Sequence, residues 1–272
     1  MTVARPKLQS FVVDGRRLEA QWHGPGPEAA PTLVLLHEGL GCVAMWRDFP
    51  KKLAARIGCG VLAYSRAGYG GSDAMRLPWP LTYMHDEAER VLPAVLDQAN
   101  IRKCILIGHS DGASIATLYA GGRQDFRVRG LVLMAPHFFV EDSGIQAIET
   151  ARRANETGTL RARLQKHHRD VDVAFRGWSD AWLDPAFRAF RIDGAVAHIR
   201  VPILILQGED DEYGTLAQIR TAEAEAYCPV DVTMLARCGH SPHIDQPAAT
   251  LEAVGEFVHR LLAVHEGLLP AA

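Results

Sequence analysis

Residues 104–116 read CILIGHSDGASIA, an apolar run that leads into a glycine-containing turn and then into an alanine-rich helix start. An apolar run without polar alternation is typical of a strand buried on both faces, as in a parallel sheet covered by helices. The turn has the pattern Gly-x-Ser-x-Gly from Gly108 to Gly112, and its small residues permit a sharp strand-to-helix connection. The pattern predicts that Ser110 projects its hydroxyl at a helix amino end, where unpaired N–H groups favour negative charge. In the alternative interpretation, Ser110 only caps the helix.

Similar apolar runs recur along the chain and alternate with amphipathic segments of helical length. The predicted strands are residues 32–37, 60–65, 104–108, 130–135 and 201–207, and the predicted helices are residues 46–57, 82–100, 110–121, 215–227 and 248–265. Before them, strands at 8–13 and 16–22 are joined by Asp14-Gly15, a dipeptide that suits a tight hairpin turn. The pattern predicts an α/β fold with a mostly parallel, doubly wound sheet and an antiparallel hairpin at its start.

The alternation stops between residues 138 and 198, which contain helix-like segments but no strand pattern. We expect a helical insertion at the carboxyl edge of the sheet, where open α/β folds bind ligands. This divides the chain into a first core part (1–137), a helical cap or lid (138–198) and a second core part (199–272). The tail, residues 267–272, is expected to fray.

The composition is that of an ordinary soluble globular protein: 272 residues, 48% hydrophobic, 22% charged, with 29 basic against 32 acidic residues and a net charge of −3. Without a Lys/Arg run, no nucleic-acid partner is expected. No apolar segment reaches the roughly 18 residues of a membrane span, and the start lacks an apolar secretory core, so we expect no membrane association. Five scattered cysteines without a Cys-x-x-Cys pair agree with free thiols and a cytoplasmic location. A homodimer is compatible with the sequence.

A serine hydroxyl needs a histidine base and an orienting carboxylate to act as a nucleophile. Both follow predicted strands: acids at 209–212 come directly after the strand 201–207 and Gly208, and Gly239-His240 follows a strand-like segment that begins at residue 232. The carboxyl ends of parallel strands meet at one edge of a sheet. The sequence therefore predicts a triad in the chain order serine, acid, histidine.

The chain resembles the α/β-hydrolase fold family over essentially its whole length. The matching features are HEGLG at 37–41, SRAGYGGS at 65–72, the turn at 108–112, the acid loop at 208–211, and Gly239-His240. The resemblance implies that Ser110 is the nucleophile, His240 the base and Asp211 the acid, because the family's acid usually stands third after the loop glycine. Asp210 is the alternative acid. The helical insertion resembles the family's cap.

The resemblance also implies an oxyanion hole formed by the N–H of Asp111 and an N–H of the loop after the first long strand, at Gly39 or Leu40. Glu38 stands where the family commonly has glycine, and this leaves the loop conformation open. Glu38 could bind a substrate amine or hydroxyl, position a water, or form only structural hydrogen bonds. Five aromatic residues are candidates for an apolar pocket under the cap, although each also fits a core position: Trp46, Phe138, Phe139, Trp178 and Trp182.

The resemblance implies a serine hydrolase that cleaves a small-molecule ester or lactone through an acyl-enzyme, with no metal and no organic cofactor. Carbon–carbon hydrolases, thioesterases and aminopeptidases of the family share these motifs. Haloalkane dehalogenases and epoxide hydrolases have aspartate at the position of Ser110, in the turn between strand and helix that is called the elbow. The serine here therefore argues against both of these activities.

Two other classes of function stay open. Residues 39–44 fit Gly-x-Gly-x-x-Ala, and Arg66 could hold a 2′-phosphate, which would make the protein an NADP-dependent oxidoreductase. Against this, residues 37 and 38 separate the glycines from the strand, and Ser110 and His240 would have no role. A non-catalytic receptor that keeps the pocket is the third class.

Overall fold

The computed structural model describes residues 7–265. Eight strands form one sheet in the order β1-β2-β4-β3-β5-β6-β7-β8. The strands are β1 Lys7–Val13, β2 Arg16–His23, β3 Thr32–Leu36, β4 Gly60–Tyr64, β5 Cys104–His109, β6 Val128–Met134, β7 Ile203–Gly208 and β8 Val230–Leu235. From β4 across to β8, neighbouring strands are parallel, whereas β1 and β2 are antiparallel. The predicted sheet with its amino-terminal hairpin is confirmed.

Helices cover both faces of the sheet. They are α1 Phe49–Ile57, α2 Tyr83–Asp86, α3 Leu92–Gln98, α4 Asp111–Arg123, α5 Asp142–Glu156, α6 Thr159–Leu164, α7 Val171–Trp182, α8 Asp193–Val196, α9 Leu216–Glu225, α10 Pro242–Asp245 and α11 Pro247–His265. Short 3₁₀ turns occur at Val43–Trp46 and Pro185–Ala189, and a π-helical turn at Glu87–Val91. Within residues 7–265, no helix has the length and apolarity that crossing a bilayer requires.

Burial on both faces explains the apolar strands. All residues of β3 are buried, and they alternate between two clusters. Leu33 and Leu35 pack with residues of α1 and α11, whereas Val34 and Leu36 pack on the opposite face with the central helix α4. The central strands therefore need apolar side chains at every position.

Two predicted helices differ from the structure at prolines. The helix predicted at 46–57 is divided between the 3₁₀ turn that ends at Trp46 and helix α1, which begins at Phe49. Pro50 lies in the first turn of α1, where the backbone N–H has no partner within the helix and its absence therefore loses no hydrogen bond. The helix predicted at 82–100 contains the π-helical turn just before Pro93, which has no N–H to give to the Glu89 carbonyl. Arg123 supplies the missing donor, with its Nη1 2.8 Å from that oxygen.

The segment between β6 and β7 forms α5 to α8, and no strand occurs between residues 138 and 198, all of which the structure describes. Phe175, Trp178 and Trp182 of this insertion belong to the same buried cluster as Val34 of the sheet. The insertion thus packs directly on the core, while its separation as a cap domain stays a prediction. The predicted frayed tail, residues 267–272, lies outside the described residues.

Candidate active site

Ser110 occupies the sharp turn between β5 and α4. Its φ of 53° and ψ of −116° lie outside the regions that L-residues favour, so the turn is strained. The flanking glycines make this turn sterically feasible. A Cβ at Gly108 would stand 2.3 Å from the Gly112 carbonyl oxygen, and one at Gly112 would stand 2.0 Å from the Leu36 oxygen. The structure therefore holds Ser110 at the carboxyl edge of the sheet and at the amino end of α4.

The loops after β7 and β8 bring Asp211 and His240 together. His240 Nδ1 lies 2.9 Å from Oδ1 and 3.0 Å from Oδ2 of Asp211. Since a carboxylate only accepts hydrogen bonds, Nδ1 carries the hydrogen, and in the neutral ring Nε2 keeps a lone pair. Gln207 Nε2 donates to Oδ2 at 2.7 Å, and the N–H of Tyr213 donates to Oδ1 at 2.8 Å.

These contacts also set the protonation of the acid. Burial raises the pKa of Asp211, but the hydrogen bond and charge of His240 and the N–H of Tyr213 outweigh burial and lower it to about 2. The alternative acid, Asp210, has an exposed side chain, and its N–H donates to the Cys238 carbonyl at 2.9 Å. Asp210 therefore joins the two loops through its backbone, while Asp211 orients the imidazole.

A cavity of about 450 Å³ has both Ser110 and His240 in its wall. Loops at the carboxyl ends of the parallel strands form most of this wall, and the insertion contributes Arg163 and Trp178. The charged side chains of the wall are Glu38, Arg47, Arg163, Glu212 and Asp245. The cavity therefore suits a polar molecule of modest size.

The predicted oxyanion donors Gly39 and Leu40 lie in the same cavity wall. Within residues 7–265, neither of their N–H groups has a hydrogen-bond acceptor. A Cβ at Gly39 would stand 2.1 Å from Trp178 Nε1, so only glycine leaves room for α7 here. Among the described residues, these N–H groups are thus unpaired donors in the same cavity wall as Ser110.

Arg66 fixes the peptide that precedes Gly39. Its Nη2 donates to the Glu38 carbonyl at 3.0 Å, and His37 Nδ1 and the N–H of Gly41 donate to the same oxygen at 2.7 Å and 3.1 Å. In a planar trans peptide the C=O and the following N–H point in opposite directions. Anchoring the Glu38 oxygen therefore also fixes the direction of the Gly39 N–H.

Asp111 follows Ser110 and is fully buried. Its carboxylate accepts hydrogen bonds from the Tyr83 hydroxyl and from Trp182 Nε1, the latter at 3.2 Å, and lies 3.8 Å from Arg66 Nη2. Burial raises the pKa of Asp111, although Arg66, Tyr83 and Trp182 oppose this. The side chain is thus held in a buried network, while the predicted role of Asp111 concerns its backbone N–H.

Glu38 and His109 form a second carboxylate–imidazole contact. Glu38 Oε2 lies 3.3 Å from His109 Nδ1, and His109 Nε2 lies 2.7 Å from the His240 carbonyl oxygen. A Cβ at Gly41 would stand 2.3 Å from Glu38 Oε2, so the carboxylate folds back over its own loop. Of the roles considered for Glu38, the geometry shows a hydrogen bond within the protein and a position in the cavity wall.

Of the six residues predicted for the pocket, Glu38 and Trp178 line the cavity. The structure places the other four elsewhere: Trp46, Phe138, Phe139 and Trp182. Trp182 is 4% exposed, and its indole N–H donates to Asp111 and to the Tyr83 hydroxyl.

The remaining three aromatic residues pack in or around the core. Trp46 is 1% exposed and its ring lies 4.7 Å from that of His243 on the other face of the sheet. Phe138 has no exposed surface, and the Phe139 ring lies under the Arg191 guanidinium at 5.3 Å. The sequence shows only that these side chains are apolar. Packing in the core buries them, so they do not line the cavity.

Several residues around the site had not been predicted. The ring of Tyr213 lies 4.6 Å from that of His240, and the ring of His137 lies 5.5 Å from it. Burial, reinforced by the charge of His240, lowers the pKa of His137 to about 3, so this ring stays neutral. Arg47 and Arg163 lie in the cavity wall. His137 follows the end of β6, and this position after a strand is the feature of the sequence that could have identified it.

Arg66 is 4% exposed, and its guanidinium is engaged by the carbonyls of His37 and Glu38. Residues 39–44 lead into the 3₁₀ turn Val43–Trp46 rather than into an α-helix. These placements remove the features on which the NADP interpretation depended. Among the described residues, no group of three or more His, Cys, Asp or Glu side chains could hold a metal ion.

Comparisons with known proteins agree with this architecture. A family model described as the alpha/beta hydrolase family matches residues 33–253. Epoxide hydrolase 3 of Siraitia grosvenorii is 31% identical over 126 residues, which cover 46% of this chain but only 38% of that protein. The 2-succinyl-6-hydroxy-2,4-cyclohexadiene-1-carboxylate synthase of Salmonella agona is 27% identical over 266 residues, covering 89% of this chain and 98% of that protein.

Among solved structures, the enol-lactonase from Burkholderia xenovorans superposes with a TM-score of 0.73 at 19% identity, covering 92% of this chain and 100% of that chain. At this identity the likeness shows the fold alone. Because the family model spans most of the chain, from residue 33 to residue 253, this protein belongs to the alpha/beta hydrolase family.

Proposed function

We propose that the protein is a serine hydrolase that cleaves a small-molecule ester or lactone through an acyl-enzyme on Ser110. The observation that carries the proposal is the Asp211–His240 hydrogen bond of 2.9 Å in a cavity whose wall also contains Ser110. Asp211 fixes the tautomer in which His240 Nε2 can accept a proton. In this proposal the alcohol, the base and the orienting acid act together at one edge of the sheet.

In the proposed first step, the Ser110 oxygen attacks the substrate carbonyl carbon while His240 Nε2 takes the hydroxyl proton. The carbonyl π electrons move to the oxygen, and the N–H groups of Gly39 and Asp111, with Leu40 as the alternative loop donor, stabilise that negative charge. One such donor is typically worth about 3 to 4 kcal/mol. His240 then gives its proton to the leaving alkoxide as the tetrahedral intermediate collapses.

In the second step, His240 takes a proton from water, and the resulting hydroxide attacks the acyl carbon. Collapse of the second intermediate returns the proton to the Ser110 oxygen and releases the carboxylic acid. A lactone follows the same route, except that the leaving alcohol stays attached to the acyl group. None of these steps requires a metal or an organic cofactor.

The proposed substrate class has two supports. The cavity of about 450 Å³ is in the range of small-molecule sites and contains five charged side chains, which disfavours a long lipid. The enol-lactonase shares the fold, and an enol-lactone is an ester. Epoxide hydrolases, to which part of this chain is similar, use aspartate at the elbow, whereas this chain has Ser110. We propose that residues 138–198 act as the cap, since Arg163 and Trp178 complete the cavity wall.

The test is a hydrolysis screen of short acyl esters, thioesters, lactones, amino-acid amides and carbon–carbon hydrolase substrates, combined with labelling by a fluorophosphonate. We expect ester or lactone turnover that Ser110→Ala lowers by at least about 10³-fold, with loss of labelling. Ser143→Ala, a serine on α5 outside the cavity wall, is the matched control and should keep both. Labelling of the Ser110→Ala variant at wild-type level would contradict the proposal.

The same experiment separates the remaining classes of function. Turnover confined to thioesters, amides or carbon–carbon substrates would keep the nucleophile but replace the proposed substrate class. A wild-type protein that neither labels nor turns over any substrate would be a receptor rather than an enzyme.

A further inference from the structure

Glu38 and His109 are two titratable side chains in contact with each other that the proposed mechanism does not use. His109 directly precedes Ser110 and has no exposed side-chain surface, whereas the Glu38 side chain is 19% exposed and lies in the cavity wall. Glu38 also directly precedes the proposed oxyanion donor Gly39. An uncompensated carboxylate at this position would oppose the negative charge that develops on the substrate oxygen.

The hydrogen-bond partners determine how many protons the pair holds. His109 Nε2 faces the His240 carbonyl oxygen at 2.7 Å, and a carbonyl only accepts, so Nε2 carries a hydrogen. His109 Nδ1 faces Glu38 Oε2 at 3.3 Å, and an ionised carboxylate also only accepts. A neutral imidazole beside an ionised carboxylate would therefore place two acceptors against each other. The contact requires one more proton, which makes the pair neutral as a whole.

The surrounding charges favour placing that proton on His109. Burial alone would lower the pKa of His109, but the hydrogen bond and charge of Glu38 and the His240 carbonyl raise it above its usual value. Burial raises the pKa of Glu38, but the hydrogen bond and the charge of His109 lower it well below its usual range. Asp211 also faces His109 and favours its protonated form.

The imidazoles of His243 and His37 do not compete for this role. Burial lowers the pKa of His243 to about 3, and burial with the charge of Arg66 lowers the pKa of His37, so both rings are neutral. The His37 ring confirms this by its partners, because its Nε2 accepts from the N–H of Arg66 at 3.0 Å. His109 is therefore the counter-ion of Glu38.

We propose that His109 is a positioning residue that, as an imidazolium, neutralises Glu38 beside the oxyanion hole and holds the His240 backbone in register with Ser110. The inference rests on the proposed function and adds to it. Glu38 shapes the loop by folding over Gly41, and His109 removes the electrostatic cost of having a carboxylate there. His109 acts through Glu38 and through the His240 carbonyl, without touching substrate.

A double-mutant cycle tests this inference with the wild type, His109→Gln, Glu38→Gln and the double variant. The readouts are kcat and KM for the best substrate of the screen from pH 5 to pH 9, and the rate of fluorophosphonate labelling. We expect His109→Gln to lower kcat by about 10- to 100-fold with little change in KM, the size expected for one uncompensated charge at an effective dielectric constant of about 20. Glu38→Gln removes the charge that His109 compensates, so its measured kcat is the reference against which the double variant is compared.

The activity of the double variant shows whether His109 acts by charge compensation. If charge compensation is the role, Glu38→Gln restores the activity of the His109→Gln enzyme to within about 3-fold of the Glu38→Gln enzyme. The activity of His109→Gln relative to wild type should also rise as the pH is lowered, because protonation neutralises the uncompensated Glu38. Equal activity of His109→Gln and the double variant, or a wild-type kcat for His109→Gln, would overturn the inference.

A direct measurement covers the case in which His109→Gln does not fold. In ¹⁵N-histidine NMR of the wild-type protein at pH 8, His109 should show both ring nitrogens protonated, and Glu38→Gln should convert it to a neutral ring. A neutral His109 ring in the wild type at that pH would overturn the inference. Retained labelling of Ser110→Ala would instead refute the proposed function, so the two failures are distinguishable.

Discussion

Replacing Arg66 with methionine should lower the free energy of unfolding by about 3 kcal/mol. The guanidinium is 4% exposed, donates to the carbonyls of His37 and Glu38, and lies 3.8 Å from the Asp111 carboxylate. Removing one partner of a buried ion pair typically costs about 3 to 5 kcal/mol, because the other charge stays buried without compensation. Asp111 keeps its hydrogen bonds from Tyr83 and Trp182, which places the expected loss at the lower end of that range.

The assay is urea unfolding at pH 7, followed by tryptophan fluorescence and circular dichroism. Arg188→Met is the matched control, because Arg188 pairs with Asp142 at the surface, where the two side chains are 50% and 81% exposed. An exposed pair is worth about 0 to 1 kcal/mol, so this variant should unfold close to wild type. If Arg66→Met costs no more than Arg188→Met, the guanidinium does not hold the loop and the assignment of its role is wrong.

Two further predictions concern the elbow and the acid. Gly112→Ala should destabilise the protein by about 3 kcal/mol, because the added Cβ would stand 2.0 Å from the Leu36 oxygen. Gly122→Ala on the same helix is the control, since its Cβ meets nothing within 4 Å and the variant should be slightly stabilised. Thermal unfolding of both variants checks this prediction, and equal melting temperatures would contradict it. Because the pKa of Asp211 is lowered to about 2, its stabilising contribution is present above about pH 4 and is lost as the pH falls towards 2, a change of about 2 kcal/mol. Urea unfolding across this range should show a loss that is smaller by about 2 kcal/mol in Asp211→Asn than in the wild type and in Asp210→Asn, because other carboxylates with a lowered pKa, such as Asp125, contribute the remainder. An equal loss in Asp211→Asn and in the wild type would contradict the prediction.

The sheet was predictable because burial on both faces leaves a strong signal. Every residue of β3 and β5 is buried, so these strands read as unbroken apolar runs. The places where polar residues follow such runs could also be predicted for Ser110 after β5 and for Asp211 after β7, whereas His240 follows β8, most of whose residues are not buried. The parallel topology brings the carboxyl ends of these strands to one edge of the sheet, and the loops after β7 and β8 bring Asp211 and His240 into contact.

The contacts that surround the site, such as that of Glu38 with His109, could not be predicted from the sequence because they depend on loop conformations. The approach of Glu38 to His109 requires the turn in which the Gly41 N–H donates to the Glu38 carbonyl. The prediction that most of the aromatic residues line the pocket was wrong for a related reason. Apolarity alone does not tell whether a side chain such as Trp46 faces a cavity or the core, and here the face of the sheet decided it.

The hydrogen bond from Trp182 to Asp111 constrains how substrates reach the site. Helix α7 could move away only if the buried Asp111 carboxylate, next to Ser110, lost a hydrogen-bond donor, so we expect this helix to stay in place. Helix α6 carries the exposed Arg163 at the rim and has no such attachment to the elbow among the described residues. Changes of substrate range during evolution should therefore accumulate on α6, while α7 stays constant.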